Sequence, residues 1–301
     1  VLSMNDRKST KQIQMKRLPK RVASSALGAS MLKTIDVQED VISNLYETGG
    51  FTETFGLSEN EPAIFKSIGG SALGFANKDK VSLVKERKPF GVRGRNAEQR
   101  VAFEFLMNQD IPIVSLGGYA GTGKSLLAMA AGLEQTLEEG IYERVIVFRP
   151  LFAVGGQDLG FLPGDFDEKM EPWKAAVYDV LESACREEVV DYIISEDMLE
   201  VLPITHVRGR TLHNTFVIVD EAQNLDFSTL LTILTRLGEN SKIVLTYDVS
   251  QRDNPEVDKD SGVIFVVSRL MGNPMFGHVS LTKIERSPVV QFVYDVFSDY
   301  I

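Results

Sequence analysis

The chain has 301 residues, 44% of them hydrophobic, and a formal net charge of −10. That length supports one large or two modest domains with a sizeable core, and the acid balance excludes a protein that holds nucleic acid by bulk charge alone. A single cysteine, Cys185, excludes a disulfide framework; with no apolar stretch of membrane-spanning length and no signal peptide, a cytoplasmic protein away from membranes is expected.

Residues 1–33 lack apolar periodicity and read as a basic linker or tail. Seven Lys or Arg stand against one Asp within residues 1–22. This is a solvated arm or, less simply, a nucleic-acid-binding one, though no aromatics interleave the charges. The start at Val1 with a ragged basic segment reads as part of a longer product. Residues 34–90 alternate short apolar runs with turn signals at Gly49-Gly50, Gly69-Gly70 and Asn77–Lys80. They predict a small β-rich module with one helix near Val37–Tyr46 and a strand at Val81–Val84.

From residue 91 to 301 the texture is α/β. Asn96 is a good N-cap for a helix through Glu98–Leu106. Strands are predicted at Ile113–Leu116, Arg144–Phe148, Leu199–Leu202, Phe216–Val219, Ile243–Thr246 and Val279–Thr282, with helices between most of them. That alternation means a mostly parallel, doubly wound sheet with its ligand at the carboxyl ends of the strands. Cys185 lies in a helical stretch with no activating base and reads as a packed thiol.

Gly118-Tyr119-Ala120-Gly121-Thr122-Gly123-Lys124-Ser125 is a complete GxxxxGK[ST] loop between a predicted strand and a predicted helix. Its glycines permit the tight turn, and its amides and the helix N-terminus hold negative charge. Lys124 is expected on the β/γ-phosphates of a nucleoside triphosphate and the Ser125 hydroxyl on Mg²⁺. The apolar run Phe216–Val219 ends in Asp220-Glu221. Asp220 is the second expected Mg²⁺ ligand, and Glu221 the base that polarises the attacking water. Gln251 or Asp248, after the Ile243 strand, could sense the γ-phosphate. Arg286 suits transition-state charge, from its own chain or a neighbouring subunit, with Arg236 as a second candidate. Gln99 could bond an adenine edge as donor and acceptor, and no guanine-reading Asn-Lys-x-Asp occurs, so ATP is the expected nucleotide.

Val147-Phe-Arg-Pro150, Gly160-Phe-Leu-Pro-Gly164, Val207-Arg-Gly-Arg-Thr-Leu212, Val219-Asp-Glu-Ala-Gln-Asn224 and Thr235-Arg-Leu-Gly-Glu-Asn-Ser241 follow the phosphate loop in order. Over residues 91–300 this set resembles the PhoH-like ATPases, nearest to the two-domain members in which a PIN ribonuclease precedes the ATPase. The resemblance implies a RecA-like P-loop NTPase fold related to superfamily-1 helicases. It also implies an ATP-dependent motor on single-stranded RNA, a homo-hexamer, a possible PIN-type nuclease partner, Gln251 as the coupling residue and Arg286 as the arginine finger. Tyr247-Asp248 departs from the Gly-Asp of the helicase coupling motif. Residues 1–90 are too short and too basic at their start to supply a nuclease's carboxylate cluster, so no ribonuclease activity is expected.

Candidate RNA contacts outside the nucleotide site are Arg149, Lys169, Lys174, Arg208 and Arg210. The Gly155–Gly164 loop, flanked by Phe152 and Phe166 and containing Phe161, could line a ring pore. His206 and His213 lack a third ligand and read as structural. The rivals to a motor are a small-molecule kinase, which a hydrolytic Glu221 argues against, and a regulatory ATPase or scaffold acting with a partner nuclease.

Overall fold

A computed structural model describes residues 32–150, 166–254, 257 and 262–297. The basic tail up to residue 31 and the proposed pore loop with Phe152 and Phe161 lie outside them, as do the side chains of Phe166 and Lys169.

The chain first forms β1 (Lys33–Asp36), α1 (Glu39–Thr48), β2 (Gly50–Phe51), β3 (Pro62–Lys66), β4 (Ser71–Asn77) and β5 (Lys80–Leu83). These strands make one sheet in the order β1-β3-β4-β5-β2, with β1 parallel to β3 and the other pairs antiparallel. Helix α1 opens on Glu39 and Asp40, which suit the positive end of its dipole. It stops at Gly49, whose φ of 77° is the left-handed turn that glycine tolerates. Val41, Ile42 and Leu45 pack on Ala63, Phe65 and Val81 to close a core of their own.

The second sheet follows, with α2 (Ala97–Met107), β6 (Ile113–Gly118), α3 (Lys124–Leu133), β7 (Arg144–Arg149), α4 (Phe166–Ala184), α5 (Glu187–Ser195), β8 (Leu199–Pro203), β9 (Thr215–Val219), α6 (Phe227–Leu234), β10 (Lys242–Tyr247), α7 (Val263–Leu270), β11 (Phe276–Leu281) and α8 (Pro288–Phe297). Its six strands run in the order β11-β6-β10-β9-β7-β8, every pair parallel. Alternate residues feed opposite faces, as the pleat requires. Val145, Val147, Phe216, Ile218 and Val244 meet α2, α3, α4 and α5 on one side. Ile146, Phe148, Val217, Val219, Ile243 and Leu245 meet α6 and α7 on the other. This is the doubly wound α/β architecture, and all strand tips at one edge face the same crevice. Among the described residues no helix is long and apolar enough to cross a membrane.

The two sheets are joined through packing as well as chain. Phe75 of β4 meets Phe105 of α2 edge-on at 5.4 Å, within the same core that fills one face of the large sheet. Asn60 donates from Nδ2 to the carbonyls of Pro274 and Phe276, both at 3.0 Å, at the start of β11.

At the opposite edge from the strand tips, Lys242 is fully buried. Its Nζ donates to the carbonyls of Phe105, Asn108 and Ile111 at 3.1, 2.8 and 2.7 Å, tying β10 to the exit of α2. Burial pulls the amine down to about 7, and the three carbonyls supply what replaces its water. Lys242→Met keeps the stem and leaves three buried acceptors unmatched. It is expected to lower the unfolding free energy by about 3 kcal/mol in a urea titration; a change under about 0.5 kcal/mol would mean the carbonyls find other donors.

Candidate functional site

The phosphate loop leaves β6 through two glycines that cannot be replaced for different reasons. A Cβ on Gly117 would lie 2.8 Å from the Tyr247 ring, and one on Gly118, at φ 137°, would lie 2.1 Å from the Leu281 carbonyl. The loop backbone is therefore wedged between β10 and β11. Thr122 is buried and donates from Oγ1 to the Tyr119 carbonyl at 2.8 Å, bracing the turn from inside. Helix α3 begins at Lys124 with no acidic residue in its first turn, so its free amides and dipole present positive potential to the loop.

Lys124 donates from Nζ to the Gly118 and Tyr119 carbonyls at 2.8 and 2.9 Å. Burial pulls its ammonium below the usual lysine range, against Asp248, Glu221 and Asp220, which all favour the charge. Ser125 donates from Oγ to Asp220 Oδ1 at 2.9 Å, and Thr246 of β10 donates to the same oxygen at 2.6 Å. Glu221, at the tip of β9, sits in the left-handed region at φ 56°. That is an uncommon place for a glutamate, and it turns the side chain away from the strand line. Burial, then neighbouring Asp220, raises its carboxyl above the usual range, while Gln223, Arg149 and Lys124 hold it down.

Two predicted residues take other places. Gln99 was expected at an adenine edge, but its amide is buried against backbone. Nε2 donates to the Thr122 carbonyl at 3.0 Å and Oε1 accepts the Arg95 amide at 2.8 Å. One donor hydrogen and one acceptor lone pair are thus engaged, and Gln99 braces the loop from beneath. Arg149 was grouped with cations outside the site. It stands at the tip of β7 with Nε 3.8 Å from Asp220 Oδ2 and Nη2 3.7 Å from Glu221 Oε1, inside the carboxylate cluster. Position 149 is the last residue of a strand beside β9, a neighbour relation that only the strand order discloses.

Gln251 has an exposed side chain, and its carbonyl accepts from Gln223 Nε2 at 2.9 Å. Gln223 closes the Asp220-Glu-Ala-Gln223 stretch. It is buried, donates to Glu221 Oε2 at 2.5 Å, and accepts the Asp248 amide at 3.1 Å. It therefore couples the tip of β9 to the segment after β10. Its position two residues beyond Glu221 was the available signal. Asp248 is buried, with Oδ1 held by the Ser250 amide and hydroxyl at 2.9 and 2.6 Å.

Arg286 enters through its backbone. The Glu285 and Arg286 amides both donate to the Gly121 carbonyl, at 3.0 and 3.1 Å, and the Arg286 side chain is exposed. Arg236 instead lies beside the Leu212–Leu237 bridge after α6, its carbonyl accepting the Leu212 amide at 2.9 Å. Arg208 and Arg210 flank Gly209, at φ 79°, on the surface, and Arg210 Nη1 lies 3.4 Å from Glu200. Lys174 is half-buried on α4. His213 Nδ1 accepts the Glu239 amide at 3.2 Å. The Cys185 thiol bonds the Leu181 carbonyl at 3.1 Å and is pushed up by burial, which gives it no nucleophilic character.

The arrangement fits a phosphate-bound Mg²⁺. A serine hydroxyl and a carboxylate 2.9 Å apart are oxygen donors of the kind Mg²⁺ takes beside phosphates and water. Among the described residues no cluster of three or more His, Cys, Asp or Glu forms a metal cage, so phosphate oxygens and water would complete the shell.

The family described as PhoH-like protein matches residues 91–298. Three relatives named Protein PhoH2 are similar over most of the chain. The protein of Thermobispora bispora is 46% identical over 94% of this chain and 70% of its own length. That of Mycolicibacterium smegmatis is 54% identical over 77% and 54%, and that of Bacillus subtilis 38% identical over 93% and 62%. The chain thus spans between about half and about two thirds of these relatives.

The charges around Glu221 predict a sign. Arg149→Gln removes a cation that holds the Glu221 carboxyl down, so its titration, followed by carbon NMR of the side-chain carboxyl, moves to higher pH. A downward shift would show that Arg149 does not act on this carboxylate.

Proposed function

The chain belongs to the PhoH-like family, and on that premise we propose that it binds and hydrolyses ATP as a motor on single-stranded RNA. The observation that carries the reading is the meeting of Ser125, Asp220 and Glu221 beside Lys124, with Gln223 linking Glu221 to the segment after β10.

In this reading the amides of residues 118–125 and the Lys124 ammonium take the β- and γ-phosphates. Ser125 and Asp220 would hold Mg²⁺, which would supply charge neutralisation at the phosphate oxygens. Water attacks the γ-phosphorus, Glu221 takes its proton, and the bond to the β-phosphate oxygen breaks to leave ADP and phosphate. The raised Glu221 carboxyl makes its carboxylate a stronger proton acceptor than an ordinary glutamate. Any change at Glu221 reaches Asp248 and Gln251 through Gln223, which supports a coupling role for that segment. Arg286 supplies transition-state charge as an arginine finger, from this chain or a neighbour in a hexamer. Arg208 and Arg210 offer surface guanidinium groups to RNA phosphates. The net charge of −10 favours a second reading, a cytoplasmic regulatory ATPase that acts with a partner PIN-type nuclease.

Steady-state ATP hydrolysis separates the two readings. Stimulation by single-stranded RNA is expected of the motor, and indifference to RNA would leave the regulatory ATPase. Glu221→Gln is expected to keep ATP binding and lose at least about a hundredfold in turnover, whereas Lys124→Ala loses binding. Unchanged turnover in Glu221→Gln would remove the base from this scheme. Arg286→Ala should bind ATP without turnover, and recovery on mixing with Lys124→Ala would place the finger across subunits.

A further inference from the structure

Helix α8 and the residues leading into it pack on the phosphate loop and are fastened to it at several points. Beyond the two amide bonds to Gly121, Val290 and Arg286 lie 3.6 and 3.1 Å from where a Gly121 Cβ would stand. One turn beyond Val290, the Tyr294 hydroxyl accepts the Ala120 amide at 3.4 Å. Its ring lies 5.1 Å from the Tyr119 ring, tilted by 46°. The phenol thus bridges helix α8 and the phosphate loop after β6, through its oxygen and through its ring. Burial and the nearby Asp248 raise the Tyr294 hydroxyl above its usual range.

Ala120 N–H belongs to the set of loop amides that a phosphate oxygen would accept. We propose that Tyr294 is an internal latch that competes with the nucleotide's phosphate for the Ala120 amide, so that triphosphate binding displaces the phenol and loosens α8 from the loop. This rests on the reading of the loop as a triphosphate site. It makes Tyr294 a positioning residue that sets nucleotide affinity. The outward face of α8, with Val289, Phe292, Val293 and Val296 exposed, moves with the latch.

Tyr294→Phe keeps the ring packed on Tyr119 and removes only the hydroxyl. With one net hydrogen bond no longer competing, ATP binds about fivefold tighter by calorimetry. Equal or weaker binding overturns the latch, because a hydroxyl that merely supports the fold or contacts the nucleotide would not tighten binding on removal. Amide hydrogen exchange at Ala120, measured with no nucleotide added, is faster in Tyr294→Phe than in wild type, and equal rates overturn the bridge. Wild-type protein that binds no ATP would sink the triphosphate reading instead, and the exchange comparison would still decide whether the phenol holds the amide.

Discussion

Asp220 Oδ1 accepts hydroxyls from two elements at once, Ser125 from the helix after β6 and Thr246 from β10. This contact sets terms for the whole large sheet. It requires β9 to lie two strands from β6 with β10 between them, which is the observed order. It requires all three strands to run the same way, so that their carboxyl ends coincide. It also requires the apolar runs before each tip to be buried, since a carboxylate with only 9% exposure tolerates its position because hydroxyls replace water. A one-residue slip of β9 against β10 would turn the carboxylate to the other face and break both bonds.

The electrostatics around that contact are deliberately unbalanced. Asp220, Glu221 and Asp248 face Lys124 and Arg149, three carboxylates to two cations. Burial has lowered the Lys124 ammonium and raised the Glu221 carboxyl, so each group leans toward its neutral form. A triphosphate alone would deepen the negative excess. A divalent cation brought with it restores balance and needs only the oxygens that Ser125 and Asp220 offer. On the proposed reading, the arrangement would take nucleotide and metal together in preference to either one separately.

Much of this was legible in the residues. The strands of the large sheet fall within a few residues of their apolar runs, because a parallel sheet covered on both faces demands unbroken Val, Ile and Leu. Asn96 caps α2 as read, accepting the Gln99 amide at 2.9 Å. The helix predicted at Val37–Tyr46 begins two residues later, where Glu39 and Asp40 favour the dipole over the apolar Val37. What stayed hidden depends on three-dimensional neighbours. Arg149 reads as a surface cation until β7 is placed beside β9. Gln99 reads as a free amide until the loop is folded over it. Gln223 and Tyr294 acquire meaning only when the ends of β9 and β10 and helix α8 converge. Side chains on one strand or helix announce themselves by period; bonds between elements do not.

The small sheet, remote from the chemistry, is tied to both ends of the machinery. Asn60 grips the start of β11, the strand whose last residue, Leu281, lies against Gly118 and whose exit leads to Arg286 and α8. After β5, the Phe90 amide donates to Glu134 Oε2 at 2.6 Å, where α3 ends in a π-helical turn over Glu134–Glu138. Wide turns of that kind are sites where a helix is commonly adjusted for function. The helix that begins with Lys124 is thus anchored at its far end by the chain entering from the small sheet, and the strand beneath the loop is anchored by the same sheet's Asn60. A shift of the small sheet would act on the loop from both sides, through α3 and through β11. Removing it would leave the far end of α3 and the start of β11 without these anchors, even though every residue of the phosphate site lies beyond residue 91.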